Sequence, residues 1–194
     1  MKTERGIAMS GPMVLQTLAG AKTETRRVVG SKKVNRYGKV GDWLYVREKT
    51  KLIESESDRG SLCGFASGVV PDRIRLEYLA DGALSLWIDY PTRLATLAVG
   101  ECIPHGCYKE AARIWLEITE IRVEQLQAIT SLGRKREGCG CSREVCGCGE
   151  FANLWDNINK KRGYGWETNP LVWVIKYKVL STTGRPELLE VKHG

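Results

Sequence analysis

Hydrophobic and polar positions along the chain follow two periods, and they mark out the elements. In "SGPMVLQTLAG", Val14 and Leu18 lie four apart on one face, Ser10 precedes them as a cap, Pro12 suits the first turn and Gly20 supplies a stop, which predicts a short helix. "DWLYVRE", from Asp42 to Glu48, predicts a strand buried on both faces, with Trp43 and Tyr45 on one and Leu44 and Val46 on the other. "RIRLEYL", the Asp81-Gly82 pair and "LSLWI" together predict a hairpin closed by a tight primed turn. "RIWLEITEIRV" alternates through Ile114, Leu116 and Ile118 and predicts a half-buried strand, while "LVWVIKYKV" alternates through Leu171, Trp173, Ile175, Tyr177 and Val179. Between these two, Phe151, Leu154, Trp155 and Ile158 have the spacing of an amphipathic helix. The polar, Ser- and Gly-rich segment from Lys49 to Gly68 predicts an exposed loop or insertion, and the residues from Ser181 onward a loose tail.

Several separated strands with few short helices, and no repeating strand-helix unit, point to an α+β chain. The expected fold is a mixed, mostly antiparallel small β-barrel with short helices packed outside it. A single domain over residues 1–180 is expected, with insertions at about 49–100 and 133–149 and a flexible tail at 181–194. Trp87, Trp115, Trp155, Trp166 and Trp173 fall on strand or helix patterns and are assigned to the core.

A length of 194 residues with 42% hydrophobic content describes a globular chain. No apolar run of membrane-spanning length occurs and "MKTERGIAMSGPM" lacks a secretory signal's apolar stretch, so a soluble, cytoplasmic protein is expected. Its seven cysteines are then expected to be reduced or metal-bound. The net charge of +7 and isoelectric point near 9.1 make a polyanion a plausible partner. Lys22, Arg26, Arg27, Lys32, Lys33, Arg36 and Lys39 crowd one stretch in which Glu24 is the sole acid, and Arg47 follows. With Tyr37 and Trp43 nearby as stacking surfaces, nucleic-acid contact is favoured over a merely solvated basic face.

"MSGPMVLQTLAGAKTETRRVV", "GDWLYVRE", "RIWLEITEIRVEQLQAIT" and "FANLWDNINKKRGYGWETNPLVWVIKYKV" resemble, in order, the ASCH-domain proteins of bacteriophage and prophage genomes. That resemblance implies a PUA-like β-barrel associated with RNA. Its small bacterial members include N(4)-acetylcytidine amidohydrolases, which use a lysine, a threonine and a glutamate, and other relatives cleave or bind RNA. Carried over by motif, Lys22 and Thr25 match the lysine and threonine, Arg27 closes the same motif, and Glu137 in "KREGC" is the candidate glutamate. The resemblance also implies a bacterial host cell for a phage-encoded chain. The segment "PHGCYKEAARIW" departs from the relatives' His-x-Pro-x-Trp pattern.

The chemistry of the trio is coherent. Amide hydrolysis needs a nucleophile, a group to take its proton, an oxyanion donor and an acid for the departing amine. Thr25 would attack, Lys22 would serve as its base if burial or Arg26 and Arg27 depress its pKa, and Glu137 would orient the lysine or shuttle the proton. Lys22 and Thr25 cooperate only if the chain after Gly20 stays turned, because residues three apart on a strand face opposite ways. The alternative places Thr25 in an ordinary strand and Lys22 in water as a helix cap. Hydrolysis of N(4)-acetylcytidine is the leading function. Arg26, Arg27 and Arg47 are the expected substrate or nucleic-acid contacts. The rival functions are a non-catalytic RNA-binding module, in which Lys22, Arg26 and Arg27 contact phosphate and Thr25 only hydrogen-bonds, and a metal-assisted ribonuclease, for which no cluster of carboxylates is evident.

In "EGCGCSREVCGCGE", Cys139, Cys141, Cys146 and Cys148 form a C-x-C-x4-C-x-C cluster suited to tetrahedral zinc, with an exposed redox-sensitive loop as the alternative. Four sulfurs would fill the coordination sphere, so the expected metal is structural and no organic cofactor is implied.

Overall fold

Where the alternation is strictest, the strands form. The computed structural model describes residues 2–30, 35–56, 72–89, 97–103, 106–139 and 149–186. The elements are β1 (Glu4–Ala8), α1 (Gly11–Leu18), β2 (Glu24–Val28), β3 (Trp43–Arg47), β4 (Thr50–Glu56), β5 (Arg73–Tyr78), β6 (Ala83–Leu84), β7 (Ile88–Asp89), β8 (Trp115–Gln125), α2 (Ser131–Arg136), α3 (Glu150–Asn159) and β9 (Leu171–Ser181). Among the described residues this is a mixed α+β chain with few, short helices. A five-stranded sheet has the order β1-β3-β8-β9-β2, and a second sheet has β4-β5-β6 with β7 also on β5.

The barrel expectation is corrected. Neither sheet closes on itself among the described residues, since β1 and β2 end the larger sheet and β4 and β5 belong to a sheet of their own. A closed barrel needs its two edge strands to pair, at a typical size of about eight strands.

The chain divides into two compact units. One comprises Met1–Arg5, Gln16–Leu44 and Leu116–Val179, the other Gly6–Leu15, Tyr45–Trp115 and Leu180–Gly194. In the first unit, Leu126, Ile129, Phe151, Trp155, Val172 and Val174 form a buried cluster against which Val28 and Trp166 pack. The ring of Phe151 meets that of Trp166 edge to face at 6.1 Å. Strand β9 therefore buries Val172 and Val174 as well as Ile175 and Tyr177, while Leu171, expected inward, is exposed. Both faces of its middle are covered, which simple alternation does not show. In α3, Phe151 and Trp155 point inward as expected, but Ile158 is exposed and Asn159 is buried in its place. The "GDW" turn has a clear purpose: Asp42 accepts the backbone amides of Thr3 through Oδ1 (3.1 Å) and Lys39 through Oδ2 (3.0 Å).

The second unit is built on Leu52, Ile74, Leu76, Leu97, Ile103, Cys107, Tyr108, Ala111 and Ala112, with Tyr45 and Ile88 packed against them. Part of the segment expected as a loop is thus a strand: β4 pairs antiparallel with β5, Leu52 opposite Leu76, with an irregularity between Leu52 and Glu54. Of its two hydrophobic positions Leu52 is fully buried and Ile53 partly so, a short apolar pair between polar flanks that gives little signal. Residues 57–71, the remainder of the segment with Cys63, lie outside the described residues. Trp115 at the start of β8 is buried and its ring lies 5.8 Å from that of Tyr45, so this end of the strand is not half-exposed.

The hairpin forms with a different return. Gly82 takes the left-handed conformation, φ +73°, but Tyr78 pairs with Ala83, so the connection spans four residues rather than two. The Ser85 hydroxyl then accepts from Leu76 N at 2.9 Å. This interrupts the return strand and separates β6 from β7, which pairs Ile88 with Ile74. Leu86 and Trp87 are left at the surface, against the core assignment of Trp87.

Gly106 (φ +82°) admits no side chain, because a Cβ there would come within 2.9 Å of the Glu48 carbonyl oxygen. Substitution Gly106→Ala combines left-handed strain with a backbone clash. The expected loss is about 2 kcal/mol or more, read from the urea midpoint.

Candidate functional site

Helix α1 ends in a turn that carries Lys22 inward. Gly20 (φ +73°) breaks the helix, and the Gln16 carbonyl accepts from both Ala21 N (2.9 Å) and Lys22 N (3.0 Å). The chain after Gly20 is therefore turned until β2 begins at Glu24. Lys22 is only 1% exposed, which rules out a solvated cap. Its Nζ donates to Glu24 O (2.8 Å), Glu137 O (2.8 Å) and Glu137 Oε2 (2.7 Å), matching the three donors of an ammonium with three acceptors.

Glu137 is delivered by α2. The Thr130 hydroxyl caps this helix by accepting from Gly133 N, and Glu137 closes it, donating its own N–H to Gly133 O. Gly138 follows in the left-handed region (φ +84°), where a Cβ would meet Gln16 Cβ at 3.1 Å and Lys22 Cβ at 3.4 Å. Its bare backbone lies directly over the lysine. Gly133 serves similarly on the other side, since a Cβ there would approach Ile129 at 3.0 Å and the Arg26 guanidinium at 3.3 Å.

Arg26 is the centre of a buried ion network. Nη1 lies 2.7 Å from Glu24 Oε1 and 3.2 Å from Glu137 Oε1, while Nη2 lies 2.7 Å from Glu124 Oε1. Its Nε also donates to Glu124 Oε1 at 3.1 Å. At 3% exposure its guanidinium is held inside the protein by these carboxylates. Outward from Glu124 the network continues to Arg122 (2.9 Å), then to Glu120 (2.7 Å) and Lys176 (2.6 Å).

Thr25 is fully buried and pairs with Ile175 across the sheet. Arg27, two residues on along β2 and so on the same face, donates Nη1 to Thr25 Oγ1 at 2.7 Å and to Arg26 O at 2.8 Å. Lys22 and Glu137 are thus in direct contact, whereas the Thr25 hydroxyl accepts from Arg27. Arg47 belongs to the second unit. Cys139 donates its thiol to Glu150 Oε2 at 3.4 Å, and Cys141, Cys146 and Cys148 lie outside the described residues, as does His105. No group of three or more metal-ligating side chains occurs among the described residues.

Burial pulls the Lys22 amine below its ordinary value of 10.5; the Glu137 carboxylate opposes this, and Arg27 and Arg26 add to it. Burial likewise raises the Tyr177 phenol, whose hydroxyl lies 3.5 Å from that of Thr17. A cleft of about 210 Å³ beside the network is lined by Glu24, Arg26, Arg122, Glu124, Arg136 and Lys176 among others. Lys22 and Thr25 do not line it; Arg26 connects it to Glu137. Glu124 is absent from the sequence-based candidates, although the alternation of β8 places it at one end of the strand on the same face as Arg122, two residues earlier. Glu24 was visible only as the one acid among many bases.

No family model matches the sequence, and no curated protein matches it. Among solved structures, the chain is similar to an ASCH domain from Lactobacillus crispatus JV V101, with 11% identity and a TM-score of 0.48 over 92% of this chain and 80% of that one. It is also similar to a protein from Enterococcus faecalis V583, with 6% identity and a TM-score of 0.46 over 97% of this chain and 86% of that one. No helix among the described residues is long and apolar enough to cross a membrane.

Proposed function

We propose that the chain is a hydrolase of an acylated nucleobase, with N(4)-acetylcytidine as the substrate that the Lys-Thr-x-Thr motif suggests. The observation that carries this reading is the buried Lys22, bonded through Nζ to Glu137 with its pKa pulled down. A lysine kept from water and poised to lose its proton is suited to base chemistry.

In this scheme Thr25 Oγ attacks the amide carbonyl carbon and its proton passes to neutral Lys22. On deprotonation the amine keeps two donors and gains a lone pair, so one of its three present hydrogen bonds is released for that proton. Arg27, donating to Thr25 Oγ1, favours the alkoxide form of the nucleophile. Glu137 holds the ammonium that results and relays its proton to the departing base nitrogen. Water then hydrolyses the acyl-threonine to release acetate. Neither Lys22 nor Thr25 meets solvent in this conformation, so substrate enters only as the chain over them opens. The four-cysteine segment remains, in this reading, a structural zinc site next to Glu137.

Chromatography of N(4)-acetylcytidine incubated with the folded native protein is expected to show cytidine, and the Thr25→Ala variant is expected to lose that turnover. Absence of cytidine from folded native protein, on both the nucleoside and acetylated RNA, would overturn the reading.

A further inference from the structure

The second unit holds a cavity of about 390 Å³ that none of this chemistry uses. Its walls include Tyr78, Trp87, Asp89, Glu110 and Arg113. The size and mixed lining are those of a small-molecule site, with aromatic and aliphatic walls and a few polar groups.

Arg113 defines what such a site can hold. Its Nε and Nη2 donate to the two oxygens of Glu48 at 2.9 Å each, and its Nη1 and Nη2 donate to those of Asp81 at 2.9 and 3.0 Å. Four of the five N–H groups are thereby committed in the plane of the guanidinium, and the charge is matched by two carboxylates. One face of the plane lies on the Tyr78 ring, 4.2 Å from its centroid. Tyr78 is fixed in turn by its hydroxyl, which donates to Ala111 O at 2.8 Å. What Arg113 has left to offer is its flat outer surface, held rigid. Such a surface stacks on planar rings.

Trp87 adds a second aromatic wall. The Ser85 side chain, by taking over the ladder bond to Leu76, ends β6 and leaves Trp87 38% exposed on the cavity. The cavity is thus lined by both an indole and a guanidinium, two groups on which a flat ring stacks. The remaining charges on the wall, Asp89 and Glu110, are acidic. They disfavour a phosphate and accept hydrogen bonds from amino groups.

We propose that this cavity binds an unphosphorylated nucleobase bearing an exocyclic amino group, stacked on Arg113 and Trp87 of its wall and read through its amino hydrogens by Asp89 and Glu110. Adenosine and inosine are the probes, because they share a purine ring and differ at the amino group. The readout is the indole N–H resonance of Trp87, assigned by its disappearance in Trp87→Phe. This signal is local to the second unit and independent of any turnover involving Lys22.

Adenosine is expected to shift that resonance in a saturable way, with affinity about tenfold above that of inosine, the scale of one lost donor-acceptor match. Trp87→Ala, at an exposed position, is expected to fold normally and to weaken adenosine about tenfold by calorimetry, as loss of one stacking partner does. Asp89→Asn with Glu110→Gln is expected to abolish the preference over inosine. A resonance that neither nucleoside moves, equal affinity for both, tighter binding of adenosine monophosphate than of adenosine, or an unchanged affinity in Trp87→Ala would each overturn the proposal.

Discussion

Lys22→Met is expected to lower amide hydrolysis by about a thousandfold, the usual scale for removing a positioned proton acceptor. Methionine preserves the buried stem and removes the amine, so the variant separates proton transfer from packing. The stronger test is the pH profile. Lys22 works as a base only when neutral, so kcat/KM rises with pH through its lowered pKa. Glu137 stabilises the ammonium by charge and hydrogen bond, whereas Arg27 and Arg26 disfavour it. Glu137→Gln therefore shifts the rising limb to lower pH even as the maximal rate falls, and Arg27→Gln shifts it to higher pH. A structural role for the pair moves the maximum alone. A limb unmoved in both variants would show that Lys22 is not the titrating group.

The same group has a stability signature with a fixed sign. Because the folded protein releases the Lys22 proton at lower pH than the unfolded chain does, the unfolded state binds more protons between the lowered value and 10.5. The contribution of Lys22 to stability accordingly increases with pH across that window.

The sequence is most readable where one residue decides the local geometry. Gly20 marks the end of α1, and the Asp81-Gly82 pair marks a reversal, because few other residues suit the left-handed conformation. The helix with Phe151 and Trp155 is equally legible from spacing. What escaped was tertiary. Val172 is buried because α3 covers its face of the sheet, which no period within β9 reveals. Leu52 and Ile53 are a short apolar pair in a polar stretch, and the openness of the sheets among the described residues depends on edge pairing that has no local signal.

The site divides along the same line. Lys22 and Thr25 stand in one motif and Glu137 far from it in sequence, and a motif cannot show that Lys22 turns inward ahead of β2 to meet a glutamate delivered by α2. Arg26 and Arg27 are adjacent in sequence and have opposite tasks. One is buried among carboxylates, and the other reaches back along the strand to the Thr25 hydroxyl.

Arg26→Met is expected to be the most destabilising single substitution in the site, at about 3–5 kcal/mol, the cost of breaking a buried ion pair by removing one partner. Three carboxylates share this guanidinium, and two of them, Glu24 and Glu137, are buried. Methionine fills much of the volume but leaves those charges facing one another with only the Lys22 ammonium, on Glu137, to offset them. For a chain of this length the loss corresponds to a drop in Tm of about 10 °C. Arg26→Lys restores the charge without the planar fork, and is expected to recover only part of the loss, since a point charge cannot serve three carboxylates arranged around a plane. Adding Glu24→Gln and Glu137→Gln to Arg26→Met is expected to recover more stability than the separate effects sum to, because the neutral amides remove the repulsion that the first change exposed. Urea denaturation of the native protein, Arg26→Met, Arg26→Lys, the Glu24→Gln, Glu137→Gln variant and the combined triple variant checks this directly. Additive losses would mean that the three carboxylates do not depend on Arg26, and the network would then be a set of independent pairs rather than one electrostatic unit.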